Sequence, residues 1–206
     1  MTTDMADRSV PAEDIPDLEP GWRRFFPGLL AIAGVIGWAS AFLLTIERLR
    51  LYEDPTYIPS CSVNAVLSCG SVMQTPQASV FGFPNPLIGL AGFAVVITIG
   101  VAALAGAWFP RWIWLGLLGG SAAATVFIHW LIFQSIYEIG ALCPYCMVVW
   151  VVTIPTFWYT LLHVLDTAEP KRGQALTRFH WVPVVLWYVL ITALVLERFW
   201  LNAPAA

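Results

Sequence analysis

The sequence predicts an all-α integral membrane protein with five spanning helices, and three observations carry that reading. Of 206 residues, 59% are hydrophobic and only 11% charged, where a soluble domain carries about a quarter charged residues. Mean hydropathy is +0.74. No charge lies between Asp54 and Arg111, between Arg111 and Glu138, or between Glu138 and Asp166. Each gap has room for at least one helix of about 20 residues, the length that crosses the hydrocarbon. Finally, Trp22, Trp112, Trp181 and Trp200 fall at the ends of the apolar runs, where indole rings favour the headgroup level. The net charge of −3 argues against a nucleic acid partner, whose phosphates call for cationic surface.

Residues 1–20 are acidic and Pro-bearing (Asp4, Asp7, Glu13, Asp14, Asp17, Glu19). They lack the basic start and apolar core of a signal peptide, and the expectation is a disordered cytoplasmic tail. Residues 21–206 are expected to form one membrane domain. The charge gaps place the spans at 26–45, 85–109, 112–136, 142–165 and 181–200, with a loop over 48–84. Pro183 is compatible with the fifth span because a first helical turn tolerates proline.

Five spans put the termini on opposite sides of the cell membrane. With the N-terminus in the cytoplasm, Arg8, Arg23, Arg24, Arg111, Lys171, Arg172 and Arg178 lie inside. Arg48, Arg50 and Arg198 lie outside. That asymmetry follows the positive-inside rule. The loop over 48–84 and the start of the fourth span then face the extracytoplasmic side, as does the C-terminus. Small residues recur within spans: Ala102 and Gly106, Gly116 and Gly120. They are expected to serve close helix packing within the bundle rather than a dimer face.

The four cysteines fall into two pairs. Cys143-Pro144-Tyr145-Cys146 opens the fourth span. Residues three apart share a helix face, and Pro144 suits the first turn. The helix N-terminus supplies unpaired N–H groups and a partial positive charge, which favour the thiolate that performs exchange. No Lys, Arg or His stands nearby in sequence to add to that effect. Cys61 and Cys69 lie in the loop. Taken alone they read as a static disulfide, stabilising by roughly 2–4 kcal/mol. The second pair changes the reading. A loop dithiol beside a membrane Cys-x-x-Cys can pass electrons from soluble thiols to an acceptor in lipid, through mixed disulfides. On the oxidising side of a membrane, disulfides persist. Two other classes stay open. One is four thiolates around zinc or copper, against which the wide loop spacing offers no second tight ligand pair. The other is a structural protein braced by two static disulfides.

Three motifs occur in order: the loop pair with Ser68-Cys69-Gly70-Ser71-Val72, then Ser79-Val80-Phe81-Gly82, then Cys143-Pro144-Tyr145-Cys146. Together they resemble the vitamin K epoxide reductase family, most closely its bacterial members, over about residues 30–165. The resemblance implies a four-helix bundle around a quinone (menaquinone or ubiquinone) plus a fifth transmembrane helix. It implies a thiol:quinone oxidoreductase that reoxidises an extracytoplasmic thioredoxin-fold (DsbA-like) disulfide-forming protein. With the chain ending at Ala206, that partner is expected to be a separate protein. The resemblance also implies roles. Cys61 meets the partner, Cys69 attacks Cys143, and Cys146 reduces the quinone. Residues 71–81 are expected to lie across the quinone as a lid, and Ala78, Phe81, Phe133, Met147 and Trp150 to line its pocket. No metal site is expected. Animal members carry Asn where Ala78 stands and Tyr where Trp150 stands. These departures remove hydrogen-bonding options and point away from epoxide reduction, toward plain quinone reduction.

Three histidines and one carboxylate complete the candidates. His129, within the third span, is either a proton donor to reduced quinone or an imidazole satisfied by backbone and hydroxyl groups; the second is expected. Glu138 is expected to be a solvated carboxylate. His163 and His180 are expected at the cytoplasmic interface.

Overall fold

The computed structural model describes residues 21–168 and 179–201. The tail over 1–20, Lys171, Arg172 and Arg178 lie outside the described residues. The chain forms α1 (Gly21–Glu53), the short α2 (Cys69–Met73), a 3₁₀ turn (Pro76–Ser79), α3 (Pro86–Leu104), α4 (Arg111–Phe133), α5 (Pro144–Ala168) and α6 (Val182–Leu196). α4 continues as a π-helical segment, Gln134–Ile139, and α6 as another, Glu197–Leu201. Among the described residues, five helices are long and apolar enough to cross a membrane. The protein is therefore all-α and multi-pass.

α1 has 33 residues, which at about 1.5 Å rise per residue is some 50 Å, longer than the roughly 30 Å of hydrocarbon. The sequence reading stopped this helix at residue 45 because the charges begin at Glu47. The chain instead stays helical to Glu53, so residues 48–53 are helix rather than loop. Their buried members continue the stripe of the helix: Leu44, Glu47 and Leu51 all face inward. The second span is shorter than expected. It closes at Leu104, after which Gly106 takes a left-handed φ of 84°. Gly106 is thus a turn residue, not a packing residue.

α1 packs against α3 and α5, and α4 against α5. The α1–α3 contact is set by glycines. A Cβ at Gly37 would stand 2.4 Å from the Phe93 ring, and one at Gly100 would stand 2.5 Å from the Ala31 backbone nitrogen. Gly100 lets the two backbones come so close, and Gly37 leaves room for the Phe93 ring. Gly116 and Gly120 behave differently from the sequence expectation. A Cβ at either meets nothing within 4 Å, because both face an open cavity. The small residues expected to tighten the bundle here instead leave room.

The end of the bundle bearing the α1 N-terminus is filled by Trp22, Phe26, Leu30, Leu117, Tyr159 and Leu162. His163 stacks on Phe26 and lies 4.3 Å from Trp114, centroid to centroid. His180 accepts or donates at Nδ1 with the Tyr159 hydroxyl, 2.8 Å away. Arg23 Nε donates to Asp166 Oδ2 at 2.7 Å, and its Nη2 pairs with the same carboxylate. α6 stands apart. Val195 is its one buried residue, while Leu186, Val189 and Leu190 are exposed, as suits a helix bathed in lipid. Two polar contacts tie it down. The Trp187 indole donates to His129 Nε2 at 2.7 Å, and the Tyr188 hydroxyl donates to the Val151 carbonyl at 2.5 Å.

Candidate redox site

The loop that carries the first cysteine pair is shaped by its own side chains. Asn64 Oδ1 accepts from the backbone N–H groups of Val66 at 2.9 Å and Leu67 at 2.7 Å, an Asx turn that reverses the chain. Ser68 then caps α2, its Oγ accepting from Ser71 N at 3.2 Å. Ser62 Oγ accepts from Gly70 N at 3.1 Å. These bonds bring the loop's two ends together, and Cys61 and Cys69 form a disulfide with Cα atoms 5.6 Å apart.

The loop is fastened to the second pair by backbone. Leu67 and Leu142 form a parallel bridge. Ser68 N donates to Leu142 O at 2.9 Å, and Leu142 N donates to Val66 O at 2.7 Å. Gly140 makes this possible: its left-handed φ of 68° ends the π-helical segment and releases Ala141–Cys143 as extended chain. Leu67 stands two residues before Cys69, and Leu142 one residue before Cys143. The bridge therefore sets the sulfurs together: Cys69 Sγ lies 3.1 Å from Cys143 Sγ. The sulfurs of Cys61, Cys69 and Cys143 all lie within 4.8 Å of one another. Nothing in the sequence announced this bridge, because two residues of strand pairing between a loop and a helix start have no periodic signature.

Cys143 and Cys146 are free thiols. Cys143 immediately precedes α5, and its carbonyl accepts from Met147 N at 3.0 Å. Its thiol is held below its ordinary pKa. The main cause is a hydrogen bond from the Cys146 thiol, helped by the backbone N–H groups of Cys146 and Tyr145 and opposed by burial. Donors aimed at a sulfur favour its charged form. At Cys143 the N–H groups of the helix start contribute as expected, and the partner thiol is the larger cause.

The two sulfurs of the motif serve different neighbours. Cys143 meets Cys69. Cys146 lies on the wall of a cavity of about 860 Å³. Around it, Met73 comes from the end of α2, Gln77, Ala78 and Phe81 from the segment after it, Gly89 and Phe93 from α3, and Gly116, Gly120 and Ser135 from α4 and its extension. Val149 and Trp150 follow Cys146 on α5. The lining is overwhelmingly apolar.

Of the residues expected at a pocket, Ala78, Phe81 and Trp150 line this cavity. Met147 does not. It lines a second, small cavity of about 130 Å³ between α5 and α6, where Trp150 also reaches. Phe133 lines neither; it is exposed and packs its ring on Tyr137. The expectation that placed both residues at the pocket fails on direction. Met147 is one residue past Cys146 and so turns about 100° away, and Phe133 looks outward from α4.

Asn85 was missed by the sequence reading. Its Nδ2 donates to Gln77 O at 2.7 Å, its Oδ1 accepts from Val80 N at 3.1 Å, and its own N–H donates to Ala78 O at 3.0 Å. One side chain thereby folds the segment over 77–85 onto the cavity. Its position just before Pro86, at a helix start, was the signal available. Gln77 Nε2 adds a 3.3 Å bond to Gln134 Oε1. His129 is satisfied on both ring nitrogens. Nδ1 lies 2.6 Å from the Thr125 carbonyl and Nε2 accepts from Trp187, which fixes the tautomer with its proton on Nδ1. Glu138 is exposed.

The vitamin K epoxide reductase family model matches residues 28–161, about two thirds of the 206-residue chain. The chain belongs to the vitamin K epoxide reductase family. Family membership and the clustered sulfurs support oxidoreductase chemistry at these thiols. The match covers α1 to most of α5, and so includes both cysteine pairs and every helix that lines the large cavity. α6 lies beyond it.

Proposed function

We propose that this family member is a membrane thiol:quinone oxidoreductase. The observation that carries the reading is the division of labour at the start of α5. Cys143 Sγ stands 3.1 Å from Cys69 Sγ, while Cys146, three residues on, lies on the wall of the apolar cavity. The cavity volume of about 860 Å³ falls within the roughly 300–1,000 Å³ of small-molecule sites. Its apolar wall fits a quinone, and Cys146 is the residue that would meet it. A bound quinone supplies an acceptor for two electrons and two protons.

A reduced thioredoxin-fold protein gives two electrons to the Cys61–Cys69 disulfide, leaving two loop thiols. The Cys69 thiolate attacks Cys143 in the Cys143–Cys146 disulfide, and the Cys146 thiolate leaves. Cys61 then displaces Cys143 from Cys69, which restores the loop disulfide and frees Cys143. Two electrons and two protons pass from the Cys143–Cys146 dithiol to the quinone, and the disulfide between them re-forms. The arrangement of a loop disulfide beside a free Cys143–Cys146 pair corresponds to the moment just before that last transfer. The lowered pKa of Cys143 makes it the better leaving group when Cys61 displaces it from Cys69, and the gap between thiol and quinone potentials sets the net flow. Both cysteine pairs face the extracytoplasmic side in this reading, and the N-terminus lies in the cytoplasm.

The test uses the full chain in lipid nanodiscs with a reduced thioredoxin-fold oxidase and a short-chain quinone. Wild type reduces the quinone at the expense of partner thiols. Cys146→Ala stops turnover and accumulates a Cys69–Cys143 linkage, read by mass mapping. Inert native disulfides and no quinol would end the proposal.

A further inference from the structure

Among the described residues, Arg48 is the sole Lys or Arg lining the large cavity. It lies on the stripe of α1 that also gives Ala41 and Leu44 to the wall. Its guanidinium is held on two sides. Nη1 donates to the Met73 carbonyl, and Nη2 donates to the Tyr52 hydroxyl at 3.2 Å, with the guanidinium carbon 4.6 Å from the Tyr52 ring centroid. The third nitrogen, Nε, is buried and its N–H has no partner. A buried donor left unpaired costs about 1–3 kcal/mol, more when the group is charged. Such groups in a folded protein call for an explanation.

The location supplies one. Met73, which Arg48 holds, packs in one cluster with Cys69 and Cys143, and Cys146 packs against that cluster. Arg48 and Cys146 therefore meet the cavity at the same end. An acceptor oxygen placed there would satisfy Nε while lying beside the sulfur that gives up electrons. We infer that Arg48 is a quinone-binding residue: its Nε–H donates to a quinone carbonyl oxygen, and its fixed charge offsets the negative charge that builds there. A guanidinium suits this task because it stays charged and carries directed donors. The inference rests on the thiol:quinone reading, and it assigns the polar contact that Ala78 and Trp150 leave open.

The test compares two ligands that differ only in their carbonyl oxygens. The full chain in nanodiscs is titrated with a short-chain naphthoquinone, followed by tryptophan quenching. The carbonyl-free naphthalene with the same tail is measured as its competitor. Wild type prefers the quinone. Arg48→Met weakens quinone binding about tenfold, the size expected for one charged hydrogen bond, and leaves the naphthalene unchanged. Arg48→Lys keeps the charge and a donor for Met73 but moves the proton off the Nε position, so it loses part of the preference. It serves as the deciding variant if Arg48→Met does not fold. Unchanged quinone affinity in both variants, or equal loss for both ligands, overturns the inference. A wild type that binds no quinone instead overturns the reading on which it rests.

Discussion

The two ends of this bundle are built for opposite tasks. At one end Trp22, Phe26, Tyr159 and Leu162 fill the space between helices, and Arg23 is paired with the buried carboxylate of Asp166. At the other end three sulfurs share a few ångströms under short segments held by a handful of hydrogen bonds, and a large cavity opens beneath them. The first end is held by area and charge, which are cooperative and hard to undo. The second is held by contacts that can be exchanged one at a time. Chemistry that passes a bond from sulfur to sulfur needs the second kind of construction, and the first keeps the helices in place while it happens.

The largest expected effect separates the ends outright. Cys69→Ser should abolish quinone reduction driven by a protein partner, while reduction driven by a small dithiol acting directly on Cys143 and Cys146 continues. Equal loss with both reductants would mean that the loop serves the fold rather than the relay. Thermal unfolding in detergent should show the next effect. Gly100→Ala pushes a methyl into the Ala31 backbone, which cannot swing aside as a side chain does, and should destabilise by about 1–3 kcal/mol. Gly116→Ala, with open space around it, should be neutral or stabilising by up to about 1 kcal/mol. Losses of similar size at both positions would contradict the packing described for α1 and α3. Asp166→Ala removes one member of the ion pair at the closed end. Since Arg23 keeps a third of its exposure, the loss should stay near 1–3 kcal/mol, below that of a fully buried pair. Turnover of the folded fraction should not change, and a drop in turnover would show that the ends are coupled.

The smallest effect is a displaced pH profile. The Cys143 pKa is lowered, so its alkylation rate should rise with pH and level off earlier than for an ordinary cysteine. Cys146→Ala removes the main donor and should move that inflection upward. A profile that Cys146→Ala does not move would leave the helix start as the sole activator.

Much of this was legible in the sequence, for reasons that also mark the limit. The charge gaps located five helices because lipid enforces one rule along every span. They misplaced the end of α1, since Glu47 and Arg48 look like loop residues until Ser60 Oγ is seen donating to Glu47 Oε1 at 2.7 Å and Met73 accepting from Arg48. The cysteines were readable as two pairs from their spacing. Which sulfur faces which neighbour was set by the Leu67–Leu142 bridge, a contact between residues 75 positions apart in the chain. Glycines carried the least information by pattern alone. Gly37 and Gly100 close a helix contact while Gly116 and Gly120 hold a space open, and the same residue type reads identically for both.

The loop disulfide has one more consequence. Cys61 is 6% exposed and Cys69 0%, so the bond that the proposed relay would reduce is shut away from water. A small thiol diffusing past finds neither sulfur of this bond to attack. Uncovering Cys61 means drawing it out of its cluster with Leu44, Leu51 and Met73, and only a partner that binds the loop has free energy to set against that cost. The loop would then select its reductant by grip rather than by redox potential, and its own disulfide would outlast contact with far more abundant small thiols.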